Sequence, residues 1–279
     1  MKLAFSRWFF NQTLSRHLIY NQRWEDPAVD NEYRQTSIPS LDYGVSENQR
    51  PCRDVRVFPF RKGDIMTTHR QTVTSYYQIQ SSIYDASRWT SSYGRNRVVD
   101  FLRIQPGESV LEIGCGTGKN FDLIQQCLHS TGELTGVDCS APMLRKASER
   151  VRTNGWKNVL LIDHEYGAES IRPDGFDVVL LSYSLSLIPH WEMALACAQR
   201  ELRPGGRIGV VDFCKPAESS QLFSDWLAVN HVRTDQPYEQ RLLETFQKRT
   251  HLLYSAWAGL WSLYMFVGER SAQQHLEVA

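Results

Sequence analysis

From residue 110 onward the chain alternates between two hydrophobic periods. Short, nearly uninterrupted apolar runs stand at 110–113 (VLEI), 134–138 (LTGVD), 159–162, 176–182 (FDVVLLS) and 208–213. Between them apolar residues recur every three or four positions, as in Phe121, Ile124 and Leu128. The first period is that of a strand buried in a sheet, the second that of a helix packed by one face. The spacing therefore predicts five strands at those runs. It predicts helices over 119–128, from Ala141 with Ser140 as N-cap, and over 191–202, stopped at Pro204-Gly205-Gly206. Residues 73–103, 219–231 and 238–249 read as further helices. Leu252–Gly268 carries no charge, but it is shorter than the ~20 residues of a spanning helix. Ser255, Gly259 and Ser262 interrupt it, so it reads as a buried hairpin supplying the last two strands. Alternating strands and helices imply a mostly parallel, doubly wound α/β sheet whose ligand crevice lies at the strand carboxyl ends.

The candidate chemistry falls at those ends. The run 110–120 reads VLEIGCGTGKN, with glycines at 114, 116 and 118, and Asp138 ends the next strand. Strand, glycine turn and helix open a nucleotide-binding unit, because glycine lets the backbone approach a ligand where a Cβ would clash. A dinucleotide fingerprint would need a third glycine where Lys119 stands. A phosphate loop would need glycine at Ile113 and a hydroxyl residue at Asn120. What remains is E-x-G-x-G-x-G, with Glu112 before the first glycine, a pattern suited to a cofactor with no phosphate to cradle. Asp138 is placed to accept hydrogen bonds from both ribose hydroxyls.

Composition narrows the classes. The chain has 279 residues, with Lys plus Arg and Asp plus Glu both at 31, so no global field favours nucleic acid. The six cysteines show no metal-ligand spacing, and Cys115 and Cys139 read as small, reduced packing residues, which points to a reducing compartment. No metal is expected. The N-terminus lacks a secretory pattern, since Asn11 and Gln12 follow Phe9 and Phe10 at once. Residues 1–65 lack sustained periodicity and read as a poorly packed extension or linker. Residues 66–270 read as the folded domain and 271–279 as a tail.

The E-x-G-x-G-x-G run with Asp138 resembles motif I of the class I S-adenosylmethionine-dependent methyltransferases. LRPGGRI (202–208) matches the turn before their fifth strand. The resemblance implies their Rossmann-like fold, a seven-stranded mostly parallel sheet ending in an antiparallel hairpin, with S-adenosylmethionine as cofactor. It places Glu112, Gly114, Cys115, Gly116 and Gly118 around the methionine portion and Asp138 at the ribose. Cys139 and Met143 would flank the adenine, although Met143 reads equally well as core. Asp163, with His164 beside it, would meet the adenine amino group, and Ser182 ends the fourth strand.

Three further segments, IYDASRW (83–89), SYSLSLIPHW (182–191) and NHVRTD (230–235), resemble the BtaB-type methyltransferases. Those enzymes methylate the amine of diacylglyceryl-homoserine three times, giving a betaine lipid. LIYNQRWEDPAVD (18–30) is similar to the start of the partner BtaA-like family, which transfers the 3-amino-3-carboxypropyl group. Residues 1–65 are too few to build that family's cofactor fold, so no carboxypropyl transfer is expected here, and Met66 is a candidate start. A separate carboxypropyl transferase is the implied partner. A lipid head group at a membrane surface is the implied substrate, met by a cytoplasmic, peripheral enzyme (at the endoplasmic reticulum in a eukaryote).

Methyl transfer to an amine needs its neutral form, and a primary amine titrates near 10 by analogy with lysine, so a base would help. Tyr183, His190 and His231 are the candidate bases. His190 reads equally as the cap of the helix at Trp191. Tyr84, Trp89 and Tyr183 are candidates for an aromatic cage around the cationic product. Residues 213–232, with Phe223, Trp226 and Val229, read either as an amphipathic lid or as a helix packed on the sheet. A soluble small-molecule amine, and an idle cofactor-binding subunit, remain as alternatives.

Overall fold

A computed structural model describes residues 57–59, 92–129, 131–167, 169–214, 232–256 and 261–272, all within the compact unit Pro51–Ala279. The strands are β1 (Val57–Pro59), β2 (Ser109–Ile113), β3 (Glu133–Asp138), β4 (Val159–Asp163), β5 (Phe176–Ser182), β6 (Leu202–Cys214), β7 (Gln247–Ala256) and β8 (Trp261–Glu269). The helices are α1 (Ser92–Leu102), α2 (Phe121–Leu128), α3 (Ala141–Asn154), α4 (Trp191–Glu201) and α5 (Tyr238–Thr245), with a 3-10 turn at Leu185–Leu187.

The sheet order is β1-β4-β3-β2-β5-β6-β8-β7. β8 runs antiparallel to both β6 and β7, and every other pairing is parallel. Seven of these strands form the expected doubly wound sheet with its antiparallel hairpin. The eighth, β1, comes from the span read as a linker and pairs with Leu161–Asp163 at the sheet edge.

The alternation along β5 shows how the core divides. Val178 and Leu180 join a cluster with Val98, Leu102, Phe121, Ile124 and Leu144 of α1, α2 and α3. Val179 and Leu181 join Trp191, Leu195 and Leu242 of α4 and α5 on the other face. Successive strand residues point to opposite faces, so a run without polar breaks is covered on both. Phe121, Ile124 and Leu128 are each fully buried, a burial worth roughly 1.5–3 kcal/mol per side chain.

Several boundaries differ from the sequence reading. α5 ends at Thr245, and 247–249 begin β7 instead of continuing the helix. Phe246 turns to extended backbone (φ −124°) and buries its ring, and over so few residues periods of two and of three to four coincide. β6 starts at Leu202, which pairs with Phe176, while 203–206 loop out before Arg207 pairs with Val178. The Pro-Gly-Gly turn is thus a bulge inside the strand, with Gly205 at φ +78°. Ser140 stands at the N-cap of α3, but its hydroxyl makes no capping bond; its amide donates to Asp138 Oδ1 at 2.8 Å. α1 begins at Ser92, and the earlier part of the 73–103 helix lies outside the described residues, as does 219–231. The hairpin is buried along β8, whereas Leu253 on the outer strand is 66% exposed.

Candidate active site

The glycine loop is tied over the end of β3: the amides of Gly114 and Cys115 both donate to Val137 O, at 2.8 and 3.0 Å. All three glycines have left-handed backbone, φ +69°, +56° and +73°. They differ in what surrounds them. A Cβ on Gly114 would stand 2.5 Å from Ser184 Cβ, and one on Gly118 2.6 Å from the Phe121 ring, whereas Gly116 faces open space. Gly114 and Gly118 therefore let the loop pack, and Gly116 leaves the room a cofactor needs.

Glu112 is buried at the end of β2. Its Oε1 accepts from Asn120 Nδ2 at 2.6 Å, and Asn120 Oδ1 accepts from Arg95 at 3.3 Å. Its Oε2 is buried without a hydrogen-bond partner. Burial pushes the Glu112 carboxyl up to about 7, although the Asn120 bond and Arg95 pull the other way. Asp138 accepts from Gly116 N (2.8 Å) through Oδ2 as well as from Ser140 N. It lies beside Asp163 in register. Burial raises Asp138 to about 6, with the Asp163 charge adding to the rise and the backbone amides opposing it.

The other expected contacts lie around this pair. Cys115 is 5% exposed and packs toward Gly136, so its side chain belongs to the core and burial raises its thiol. Cys139 is half-buried after Asp138, and Met143 is buried in α3. Asp163 ends β4 and His164 follows it, both half-buried, the His164 amide donating to Asp138 O at 3.1 Å. Ser182 is buried and its hydroxyl has no partner.

Tyr183 takes left-handed backbone (φ +56°), an uncommon and costly state for a bulky residue. Its amide donates to Val211 O at 2.7 Å. Its ring is buried against Phe213 (centroids 5.2 Å apart), with Arg95 over it at 5.1 Å. His190 is exposed at the start of α4; its carbonyl accepts from Ala194 N, and its imidazole makes no capping bond. Tyr84, Trp89 and His231 lie outside the described residues.

Sequence reasoning missed the Arg95–Asn120–Glu112 chain and a second group under β6. Asp212, fully buried, accepts from Ser186 N (2.9 Å), Ser186 Oγ (2.8 Å) and Phe213 N (2.8 Å). Tyr238 and Tyr264 stand nearby with buried hydroxyls that lack partners. An acidic residue closing the apolar run 208–213 was the available signal. Among the described residues no three His, Cys, Asp or Glu side chains are grouped to hold a metal.

The sheet order and the antiparallel last strand give the Rossmann-like fold of solved S-adenosylmethionine-dependent methyltransferases, with the glycine loop and Asp138 at the strand carboxyl ends. The cofactor fits the residues present: Gly116 offers an open cradle, Glu112 Oε2 awaits a donor, and Asp138 has accepting capacity left. Asp138 would hold the ribose, Glu112 the methionine ammonium, and Asp163 with His164 the adenine amino group.

Residues 111–208 match the family described as a methyltransferase domain. A demethylmenaquinone methyltransferase of Listeria welshimeri is 29% identical over 53% of this chain and 65% of its own length. A 2-phytyl-1,4-naphtoquinone methyltransferase of Synechococcus elongatus is 32% identical over 48% of this chain and 60% of its own. The chain thus spans less than two thirds of the length of these relatives. Among solved structures, the cyclase SpnF is similar in fold, with a TM-score of 0.59 at 15% identity over 72% of this chain and 97% of that one. A cyclase on this fold illustrates that the fold does not name the acceptor.

Proposed function

We propose that this chain methylates the amine of diacylglyceryl-homoserine three times, giving a trimethylated betaine lipid. One junction carries the reading: two of the three segments that resemble the BtaB-type enzymes meet at the carboxyl ends of the strands. The Arg233 amide donates to Ser186 O at 3.1 Å and its guanidinium to Pro189 O at 3.4 Å. In the same segment the Ser184 hydroxyl donates to Ile113 O at 2.7 Å, beside Gly114.

S-adenosylmethionine supplies a methyl group on an already activated sulfonium. The protein's task is to position the acceptor and exclude water. The amine nitrogen forms the new N–C bond with its lone pair while the S–C electrons return to sulfur. Starting from the ammonium, each of the three transfers releases one proton. The carboxylates Asp212 and Glu239 on the acceptor side favour a cationic acceptor and oppose an anionic one. That disfavours ionising a quinol, the kind of acceptor the names of the relatives suggest, to its anion. A lipid acceptor would be reached from a membrane surface; no helix among the described residues is long and apolar enough to cross one. The acceptor's own precursor calls for a separate 3-amino-3-carboxypropyl transferase as partner.

The test offers labelled S-adenosylmethionine with three acceptors: diacylglyceryl-homoserine in mixed micelles, its acyl-free counterpart, and a demethylated menaquinol. Label in the lipid amine alone is the expected outcome. Equal labelling of the acyl-free amine would make the acceptor a soluble amine. Label in the quinol alone, or none with cofactor binding intact, would overturn the proposal.

A further inference from the structure

α1 turns one stripe of residues to the sheet: Arg95, Val98, Val99 and Leu102 recur at helical spacing and are all buried. Val98, Val99 and Leu102 belong to the core, but Arg95 puts a cation on the same face at 9% exposure. A cation seldom stands there unless polar partners hold it. Gly94 lets the helix come this close, since a Cβ there would overlap the Tyr183 hydroxyl and Val211. The Arg95 guanidinium lies over the Tyr183 ring at 5.1 Å, and its Nη1 donates to Asn120 Oδ1 at 3.3 Å.

The donors along this chain run in one direction. Arginine offers only N–H donors, so Asn120 meets it with its amide oxygen. The Asn120 amino group then faces Glu112 and donates to Oε1 at 2.6 Å. Glu112 Oε1 is thereby an acceptor, and Oε2 is left buried without a hydrogen-bond partner. Without an obligatory donor at position 95, the Asn120 amide would be free to turn over and accept from a protonated Glu112. Of the titratable groups facing Glu112, Arg95 of α1 favours the carboxylate and Asp138 of β3 opposes it. The Cys115 thiol of the adjoining loop is raised well above its ordinary value by burial and stays neutral. On β5 it is Leu180 that stands opposite in register.

We propose that Arg95 is a positioning residue for the cofactor: acting through Asn120, it holds Glu112 as an acceptor whose Oε2 meets the methionine ammonium. This role rests on Glu112 holding that ammonium, and it is the same whichever acceptor is methylated. Two probes separate it from a purely structural role. S-adenosylhomocysteine carries the ammonium; its deamino analogue keeps the carboxylate and lacks only that group. Both are titrated by calorimetry into the full chain as wild type, Arg95→Gln and Arg95→Lys. Gln keeps hydrogen bonding without an obligatory donor or a charge, and Lys keeps both. At about pH 6.5 Arg95→Gln should lose roughly tenfold in S-adenosylhomocysteine affinity, the loss narrowing at about pH 8, where more of the Glu112 carboxyl ionises without help. The deamino analogue should bind Arg95→Gln at least as tightly as wild type, and Arg95→Lys should recover most of the lost S-adenosylhomocysteine affinity. Equal losses for both probes would make Arg95 a packing residue or a ligand of the carboxylate, and would overturn the relay. So would an unchanged S-adenosylhomocysteine affinity in Arg95→Gln, or a loss that is the same at both pH values. Should Arg95→Gln fail to fold, Asn120→Ser cuts the relay in its middle: the same selective loss is expected there, and equal losses for both probes would again overturn it.

Discussion

The two halves of the sheet hold their polar groups differently. On the β2–β3–β4 side the carboxylates are held from within one glycine-loop unit: the Gly116 and Ser140 backbone amides fix Asp138, and the Asn120 side chain fixes one oxygen of Glu112. On the β5–β6–β8 side the polar groups belong to distant side chains, and the Tyr238 and Tyr264 hydroxyls are left without partners. The first half is preorganised for one cofactor by a short stretch of chain. The second is assembled from strand ends, a 3-10 turn and α5, so on the proposed function it is the half in which acceptor specificity would change while the cofactor half stays fixed.

The hardest blow to the cofactor half is Gly114→Val. Its left-handed backbone alone costs about 1–3 kcal/mol for a side chain, and the overlap with Ser184 adds to it. The urea midpoint should fall clearly; an unchanged midpoint would mean the loop is not packed as described. Asp138→Ala comes next. It should weaken S-adenosylhomocysteine binding by about 1–3 kcal/mol through lost charge-assisted hydrogen bonds. Unchanged affinity by calorimetry would refute the ribose role.

A third effect is pH-dependent. Glu112 is raised from an ordinary 4.5 to about 7 and Asp138 from 3.8 to about 6, so the ligand-free fold keeps protons that the unfolded chain releases. Stability from these groups is present below the ordinary values and is lost as pH rises through the raised ones. Cofactor affinity, which needs the carboxylates ionised, should run the opposite way, rising by at most about tenfold per pH unit per group. Glu112→Gln should remove the upper part of that rise; a profile identical to wild type would break the assignment.

On the acceptor half, Asp212→Asn keeps the shape but removes the charge and mismatches one of its donors. A stability loss of about 1 kcal/mol is expected, together with a higher acceptor KM and unchanged S-adenosylhomocysteine affinity. A change in the cofactor affinity alone would erase the distinction between the halves. The smallest effect belongs to Leu253→Ser on the exposed face of β7, within about 0.5 kcal/mol of wild type; a larger loss would show that the outer strand is covered.

The unequal legibility of the halves in the sequence follows from the same difference. The glycines and Asp138 act through local backbone geometry, and Glu112 stands close in sequence to them, so a motif of a few residues reports them. The five central strands were legible for a similar reason, since burial on both faces leaves an uninterrupted apolar run. Asn120 and Arg95 were not, because their roles depend on α1 crossing near the end of β2. Asp212, Tyr238 and Tyr264 come together only through the β6–β8 register and the docking of α5. The short α5 shows the limit of periodicity: Phe246 serves the core equally well as the end of a helix or the entry to a strand.

The measurement that bears most directly on the central claim is mass-resolved methyl transfer from S-adenosylmethionine to diacylglyceryl-homoserine over time. The account predicts products gaining one, then two, then three methyl groups, with the trimethylated lipid accumulating last. An acceptor that gains none, while S-adenosylhomocysteine still binds at Asp138, would contradict it.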